Sequence, residues 1–375
     1  MGDYRDEREA ALQRAEALAQ QNAQLQTELD SLRQGRASPA TTAAPRLIIA
    51  AVAMVVLIGA AVGFMSAARR PTAVTTAPSL ALRGRWAPPS PIGPVALRAA
   101  VRAGGGTWVV GDRGSIFFRA ESASSWAPVP SGTEADLYAI TSGDPLVVVG
   151  ARGTALRFDP AQRRWVPEST GSTAELHAVA SRQSTLIAVG SGGTVLRRAS
   201  DGVWSSVVSN TAADLHGVTV STPDGSVVAV GAGGTIVGGA FESAELTRQA
   251  SPVSATLRAI AAWNNTLLAV GDGGAMVSTS AMSPWTLVRS TTAEDLLVVA
   301  VTEIPYEENR PGYSSSGSTF GFLAAGARGS VLVDRLGSVE GWRPVRAGGG
   351  AIRAMTSEPW SFFTEEGNVI AFAPR

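Results

Sequence analysis

Residues 175–209 read ELHAVASRQSTLIAVGSGGTVLRRASDGVWSSVVS. The stretch contains four short runs rich in Val, Ile, Leu and Thr, separated by Ser, Gly or Asp, which is the composition of β-strands bounded by turns. The second and third runs meet at Gly192-Gly193, where a tight turn with positive φ favours glycine. The stretch therefore predicts a unit of four consecutive strands.

The unit recurs along the chain with a period of about 40 residues. Its turn glycines are Gly114, Gly153, Gly193, Gly234, Gly274, Gly329 and Gly367, at steps of 39, 40, 41, 40, 55 and 38. A marker precedes each glycine, namely Leu97, Leu137, Leu176, Leu215, Leu257, Leu296 and Ile352. A second marker follows in six units, namely Trp126, Trp165, Trp204, Leu246, Trp285 and Trp342. Four strands per unit and seven units predict an all-β seven-bladed β-propeller.

The seventh unit lacks the strand that carries Trp in the other units. Trp86 stands just before the first unit, in LALRGRWAPP. We expect residues around Leu80 to Pro88 to supply the missing outer strand, so that the propeller covers residues 80–375 and leaves no large unpaired sheet edge.

The repeats resemble those of a known family, the seven-bladed propellers similar to the photosystem II stability and assembly factor, which are related to sialidase-type (BNR, or Asp-box) repeats. The recurrent [VA]-G-x-x-G-x-[IVL] segments and the Trp that follows them carry this resemblance. The resemblance implies the propeller fold. The sequence departs from the family because no repeat unit ends in Gly-Gly-x-Thr-Trp and the Asp-box is reduced to fragments such as Ser200–Trp204, so a photosystem role does not follow.

A membrane anchor is predicted before the repeats. Residues 47–68 read LIIAAVAMVVLIGAAVGFMSAA, 22 residues without a charge, between Arg46 and Arg69. A helix of this length spans about 33 Å, enough to cross a hydrocarbon core of about 30 Å. A cleaved signal peptide is the competing interpretation, but 46 residues precede the run, so an uncleaved transmembrane helix in the lipid bilayer is favoured.

Residues 1–34 show a heptad pattern. Its a and d positions are Ala11, Ala15, Leu18, Asn22, Leu25, Leu29 and Leu32. Leu at most d positions, Asn22 at a central a position and a Glu28–Arg33 pair across the interface favour a parallel two-stranded coiled coil, and thus self-association as a dimer. A solvated single helix is the alternative. Gly59 and Gly63 in the anchor would allow two transmembrane helices to approach closely.

Two linkers separate these parts, residues 35–46 and the Pro/Thr/Ala-rich residues 69–79. The arginines flanking the anchor do not decide its orientation, because Arg occurs on both sides. We expect a single-pass protein of the bacterial inner (cytoplasmic) membrane, with its N-terminus in the cytoplasm and the propeller outside. A short N-terminal arm before one anchor inserts simply, and a Cys-free body suits an oxidising compartment.

Composition excludes several functions. The 31 basic and 31 acidic residues balance, and the residues after position 70 carry 23 basic and 24 acidic side chains, so nucleic acid is not an expected partner. The absence of Cys excludes thiolate metal sites and nucleophilic thiols. His177 and His216 are the only histidines, which excludes a three-His zinc site. We expect no catalytic residues, no bound metal and no cofactor.

Two sets of residues are candidates for binding a protein partner. The first lies on the turns between second and third strands and consists of Arg113, Arg152 and Arg328. Acidic residues accompany them on these turns and on the links between blades, and a solvated rim is the alternative interpretation. The second set lies in the 55-residue step, where residues 304–319 read IPYEENRPGYSSSGST; it consists of Tyr306, Glu307, Glu308, Arg310 and Tyr313. A loop of this length is typical of a functional insertion or of a tolerated surface segment.

The residue after each marker gives a further candidate set. These residues are Arg98, Tyr138, His177, His216, Arg258, Leu297 and Arg353. They would form a cationic and hydrogen-bonding collar at the channel mouth, or alternatively pack between blades. His177 and His216 occupy equivalent positions in adjacent blades and are expected to be close and structural.

Two functions remain open on the sequence alone. The first is a membrane-anchored scaffold for protein–protein interaction, which would assemble or stabilise an envelope complex with an unidentified protein partner. The second is a glycan-binding or sialidase-like module, which the resemblance to sialidase-type repeats implies. A sialidase-like site needs an arginine trio and a Tyr nucleophile, and the regular strands offer only Tyr138. The sequence favours the scaffold.

Overall fold

The computed structural model describes residues 84–374, apart from 88, 222–223, 281–282, 311–312, 336–342, 347–349 and 358–359. Its strands are β1 (Gly84–Trp86), β2 (Ser90–Pro91), β3 (Leu97–Ala103), β4 (Gly106–Gly111), β5 (Ile116–Ala120), β6 (Ala127–Pro128), β7 (Leu137–Ile140), β8 (Val147–Gly150), β9 (Ala155–Asp159), β10 (Arg164–Glu168), β11 (Leu176–Arg182), β12 (Thr185–Gly190), β13 (Val195–Arg198), β14 (Trp204–Ser206), β15 (Leu215–Val220), β16 (Ser226–Gly231), β17 (Ile236–Ala240), β18 (Thr247–Gln249), β19 (Leu257–Trp263), β20 (Thr266–Gly271), β21 (Met276–Ser280), β22 (Thr286–Leu287), β23 (Leu296–Arg310), β24 (Tyr313–Gly326), β25 (Ser330–Arg335), β26 (Arg343–Arg346), β27 (Ile352–Ser357), β28 (Trp360–Thr364) and β29 (Asn368–Pro374). Short 3₁₀ turns occupy Ala151–Gly153, Ser191–Gly193, Ala232–Gly234 and Asp272–Gly274.

These strands form seven antiparallel sheets, which we number as blades one to seven. Blades one to six each contain four strands in chain order, from β3–β6 in blade one to β23–β26 in blade six. Blade seven contains β27, β28 and β29, with β1 and β2 paired to β29. The first strands of neighbouring blades contact one another around the whole circle, including β27 with β3. They therefore form the inner wall of a closed ring.

The second strand of each blade is the most buried, because neighbouring blades cover both of its faces. Every residue of β4, β8 and β28 is buried. A strand that is covered on both faces needs a continuous apolar run, which is what VVVG in blade two provides. Apolar clusters fill the seven spaces between successive blades, and the seventh joins Leu97 and Val109 of blade one to Phe363 of blade seven.

Blade seven is completed by the N-terminal strand, as the position of Trp86 predicts. β1 pairs antiparallel with β29, with Trp86 opposite Phe372, and the Ala87 N–H donates to the Ala371 carbonyl at 2.8 Å. The fully buried Phe372 side chain lies in the cluster between blades six and seven. Sequence-distant ends of the propeller thus share one sheet, and the outer edge of β29 is covered.

The turn between second and third strands depends on glycine at one position. Gly193 has φ +72°, and a Cβ placed on it would lie 2.0 Å from the Thr211 carbonyl oxygen in the link to blade four. Left-handed backbone and a close approach both exclude a side chain there. A Cβ on Gly114, Gly153, Gly234, Gly274 or Gly367 would likewise lie 1.8 to 2.0 Å from a carbonyl oxygen of the next link, so at these positions the turn touches that link.

The insertion in blade six differs from the expected loop. β23 and β24 continue past the blade as one antiparallel hairpin, in register from Ile304 opposite Thr319 to Arg310 opposite Tyr313. The third strand β25 pairs with β24 only over Gly321–Ala325. The inserted residues thus extend two strands of the blade, because the register already set by β23 and β24 continues through them.

No helix among the described residues is long and apolar enough to cross a membrane. The predicted coiled coil (1–34), the linkers (35–46 and 69–79) and the transmembrane helix (47–68) lie outside the described residues.

Candidate functional site

The seven first strands share one irregularity, a β-bulge directly after the marker Leu or Ile. In blades one to six the marker pairs with the glycine that ends the second strand, and in blade seven Ile352 pairs with Thr364. In every blade pairing resumes only after one residue is skipped. We call the skipped residues the bulge ring; they are Arg98, Tyr138, His177, His216, Arg258, Leu297 and Arg353. A bulge re-aims a side chain and often lies beside a functional site. The predicted collar is thus one structurally equivalent set on the inner wall.

The three arginines of the bulge ring form ion pairs with the turn of their own blade. The pairs are Arg98–Asp112, Arg258–Asp272 and Arg353–Glu365. Arg98 Nε donates to Asp112 Oδ1 at 2.7 Å, and this hydrogen bond raises the pKa of Arg98 despite the opposing effect of burial. At these three blades a carboxylate therefore lies beside each arginine of the predicted cationic collar and balances its charge.

The carboxylates that pair with the ring were missed by sequence reasoning, although a signal for them exists. An acid stands at the first turn position only where the bulge residue is Arg. In the other four blades that position holds Ala or Ser, namely Ala151, Ser191, Ala232 and Ala327, and the acid stands two residues before the bulge residue, as Asp136, Glu175, Asp214 and Asp295. Comparing equivalent positions across the seven units would have revealed both blade types.

Three of the four link acids stabilise the preceding turn. The carboxylates of Asp136, Asp214 and Asp295 accept hydrogen bonds from turn N–H groups at 2.7 to 2.8 Å. Glu175 has a longer side chain, and its Oε2 lies 3.5 Å from Nε2 of His177. The three aspartates hold neighbouring blades together, whereas Glu175 is directed at the bulge ring.

An arc of aromatic rings spans blades two to four. The ring centroids of Tyr138 and His177 are 6.0 Å apart, and those of His177 and His216 are 5.1 Å apart with the rings stacked at 27°. Nδ1 of His177 lies 3.0 Å from the Leu215 carbonyl oxygen of the next blade. The two histidines are therefore close, as expected. Among the described residues no three His, Cys, Asp or Glu side chains cluster as a metal site would require.

Burial shifts the pKa of two side chains of the arc toward their neutral forms. Burial, followed by the charges of Glu175 and Asp136, raises the pKa of the Tyr138 phenol. Burial, followed by the charges of His177 and Arg258, lowers the pKa of His216. A phenol that holds its proton more tightly is a poorer nucleophile. With the ring arginines bound to their own acids, this geometry does not favour a sialidase-like use of the collar.

The turn arginines are exposed but do not form one patch. Arg113 and Arg152 stand at the tips of the turns in blades one and two, and Arg328 stands on the turn of blade six. Arg113 and Arg152 have φ values of 54° and 55°, the left-handed geometry that glycine provides at Gly192. These arginines lie on the face where the bulge ring opens.

An open groove of about 580 Å³ lies beside the turn of blade one. Its walls include Phe117, Pro128 and Pro130, with Arg113 and Glu134 at its polar end. It lies next to one candidate arginine, so a partner on this face could contact both.

The hairpin of blade six carries the second predicted set. Tyr306 to Arg310 lie on the outgoing strand β23, and Tyr313 opens the returning strand β24. The hairpin joins first and second strands, so it projects from the face opposite the turn arginines. At its base Phe320 stacks on Trp263 of blade five, with centroids 4.0 Å apart and a 22° angle between planes. This stack fixes the base of the hairpin against the neighbouring blade.

The closed ring of seven four-stranded blades makes the protein a seven-bladed β-propeller, as the repeats predicted. No family model matches the sequence, and no curated protein matches it. Solved structures share the fold. A structure of YCF48 bound to D1 peptide superimposes with a TM-score of 0.59 and 14% identity, over 82% of this chain and 100% of that chain.

Other solved propellers are similar to a comparable degree. YCF48 from Cyanidioschyzon merolae gives a TM-score of 0.57 and 17% identity, over 76% of this chain and 99% of that chain. The WD40 propeller domain of Doa1 gives 0.58 and 11%, over 79% of this chain and 98% of that chain. These identities show the fold, and the likeness to YCF48 agrees with the family resemblance of the repeats.

Proposed function

We propose that this protein is a membrane-anchored propeller scaffold that binds a protein partner, and that it assembles or stabilises a complex of the bacterial envelope. The observation that carries the proposal is the difference between blades on the bulge-ring face. Arg–acid pairs occupy blades one, five and seven, whereas blades two to four present an arc of aromatic rings with an exposed carboxylate. A purely structural ring would have no need to differ from blade to blade.

Two further points support a scaffold. YCF48 was solved bound to a peptide, and a propeller in a mitotic checkpoint complex has a TM-score of 0.61 at 11% identity, over 80% of this chain and 97% of that chain. The predicted helix at residues 47–68 would hold the propeller at a membrane, and the predicted coiled coil would present two copies side by side, which raises the effective concentration of binding sites.

Site-specific photocrosslinking in intact membranes tests the proposal and identifies the working face. A photoreactive residue is placed at Arg152 on the turn face, at Tyr306 on the hairpin, and at Leu287 as a control on the outer strand of blade five, where the side chain is 65% exposed. We expect one discrete crosslinked protein from a face position and none from Leu287. Equal, diffuse labelling from all three positions would contradict a specific partner.

Replacing the candidate residues shows which face of the propeller binds the partner. If the hairpin binds the partner, the photoreactive residue at position 306 gives the crosslink, and changing Tyr313 to Ala in that variant weakens it with little change in melting temperature, because the hairpin projects beyond the blade. If the turn face binds it, the photoreactive residue at position 152 gives the crosslink, which survives the change of Tyr306 and Tyr313 together to Ala and is lost when Arg113 and Arg328 are replaced together.

A further inference from the structure

Three polar side chains of blades two and three lie near one another on the bulge-ring face, and we call the space between them the recess. Its three side chains are Tyr138, Glu175 and His177, which belong to adjacent blades and lie in or just before the bulge. His177 is 19% exposed and Glu175 is 53% exposed, so the recess is open to a ligand. The neighbouring turn residues are Ala151 and Ser191, which leave room where other blades hold an acid.

The hydrogen bonding of His177 leaves two acceptors facing each other. Nδ1 lies 3.0 Å from the Leu215 carbonyl oxygen, which can only accept, so in the neutral imidazole Nδ1 carries the proton. Nε2 is then an acceptor, and it lies 3.5 Å from the Glu175 carboxylate, which also only accepts. Ser191 Oγ, 3.4 Å from Nε2, has one O–H to offer. An N–H group with several protons would bond both acceptors at once.

The charges around the recess favour a cation. Glu175 has no arginine within salt-bridge distance among the ion pairs of the described residues, and its one ionic contact is with His177. The nearest ring arginine, Arg98, is bound to Asp112. Link carboxylates Asp136 and Asp214 flank the arc on either side. The recess therefore carries a carboxylate that no arginine neutralises, in contact with His177, whose ring centroid lies 6.0 Å from that of Tyr138. A carboxylate near an aromatic ring favours cationic groups.

We propose that Tyr138, Glu175 and His177 bind the cationic end of a Lys or Arg side chain in the partner protein. The cation lies against the Tyr138 ring, forms a salt bridge with Glu175 and donates an N–H to Nε2 of His177. This inference rests on the proposed scaffold function and specifies its ligand chemistry.

Because the chain has only two histidines, the NMR signal of the His177 imidazole can be followed during a titration with a ligand. The full-length protein in detergent micelles, labelled at histidine ¹³Cε1, is titrated with N-acetylarginine amide and with N-acetyllysine amide. N-acetylcitrulline amide, which has nearly the same shape as the arginine probe but no charge, is the control ligand. We expect the His177 signal to shift with both cationic probes and not with citrulline. An equal shift with citrulline overturns the assignment of a cation site.

Two variants test the residues. Glu175→Gln removes the charge and should weaken the arginine probe about tenfold, as expected for loss of a charge-assisted hydrogen bond. Tyr138→Leu should weaken it a few-fold through the lost cation–π contact. Glu242→Gln removes the same charge at a side chain that is 69% exposed on the outer part of blade four and should change nothing. Unchanged affinity in Glu175→Gln, with a normal melting temperature, overturns the proposal.

The photocrosslink separates this inference from the function beneath it. One outcome is that the crosslink from position 152 forms but the His177 signal of the full-length protein shifts with neither cationic probe. The cation site is then wrong, and the scaffold function is still supported. If the probes bind but no position in intact membranes yields a discrete crosslink, the recess stands as a cation site and its assignment to a protein partner is overturned.

Discussion

Nε1 of Trp204 donates a hydrogen bond to Oε2 of Glu168 at 3.0 Å, which ties the fourth strand of blade three to the fourth strand of blade two. Trp285 does the same with Gln249, at 2.7 Å. In both cases the acceptor stands three residues after the second marker of the preceding blade, which is Trp165 for Glu168 and Leu246 for Gln249. The repeat therefore encodes a link between outer strands as well as the inner ring.

One blade lacks this link, which leads to the first prediction. Nε1 of the buried Trp165 has no hydrogen-bond partner among the described residues, and the acceptor position of blade one holds Val129. Val129→Gln places an amide oxygen there and should raise the free energy of unfolding by about 1 kcal/mol, the usual worth of a hydrogen bond to a buried donor. Urea unfolding of the full chain measures it. Val129→Leu is the control, and an equal gain in that variant would show that packing is responsible.

The turn of blade three separates two effects of glycine. Gly192 has φ +62° and no atom lies within 4 Å of the place where a Cβ would stand, whereas a Cβ on Gly193 would meet the Thr211 carbonyl at 2.0 Å. Gly192→Ala should cost about 1 kcal/mol, the usual penalty of left-handed backbone. Gly193→Ala should cost more than about 3 kcal/mol, because the link to blade four must also move. Thermal unfolding compares the two, and equal losses would refute the close approach as the cause.

Closure of blade seven gives the third prediction. Ala87→Pro removes the N–H that bonds the Ala371 carbonyl, and leaving that carbonyl without its donor should cost about 2 kcal/mol. Ala87→Ser keeps the N–H and is the control. A chain that begins at Pro91 should aggregate or melt well below one that begins at Pro71, because the edge of β29 is then exposed. Equal melting temperatures for the two chains would remove the case for closure by β1.

His216 makes stability depend on pH. Burial, and then the charges of His177 and Arg258, lowers its pKa below the usual 6.5. Between that lowered pKa and 6.5 the unfolded chain binds more protons than the folded chain, so stability falls as the pH decreases through this window and levels off below it. Melting temperatures from about pH 7.5 to about pH 5 should fall less in His216→Gln. An equal fall of the melting temperature in both proteins would show that groups other than His216 cause the pH dependence.

The repeat pattern predicted most of the fold. Gly193 and its equivalents mark a turn that only glycine can make, and Trp86 marks the outer strand that the seventh unit lacks. It did not predict the pairing of Arg98 with Asp112, since a charged turn residue looks the same in sequence whether it is solvated or paired. The hairpin at Ile304–Thr319 was also missed. Its outgoing arm is rich in charged residues and its returning arm in Ser and Gly, so both lack apolar alternation. They are strands because the blade beneath them sets the register.

The pairing of Trp86 with Phe372 joins residues that are about 290 positions apart in the chain. At ribosomal rates of roughly 5 to 20 residues per second, β1 leaves the ribosome roughly 15 to 60 seconds before its partner strand exists. During that interval the earlier blades can form, but the ring stays open and β1 has no partner strand. Completion of the ring is therefore a late event in biogenesis, and a defect in β1 or β29 should first appear as slow maturation and exposure to proteases.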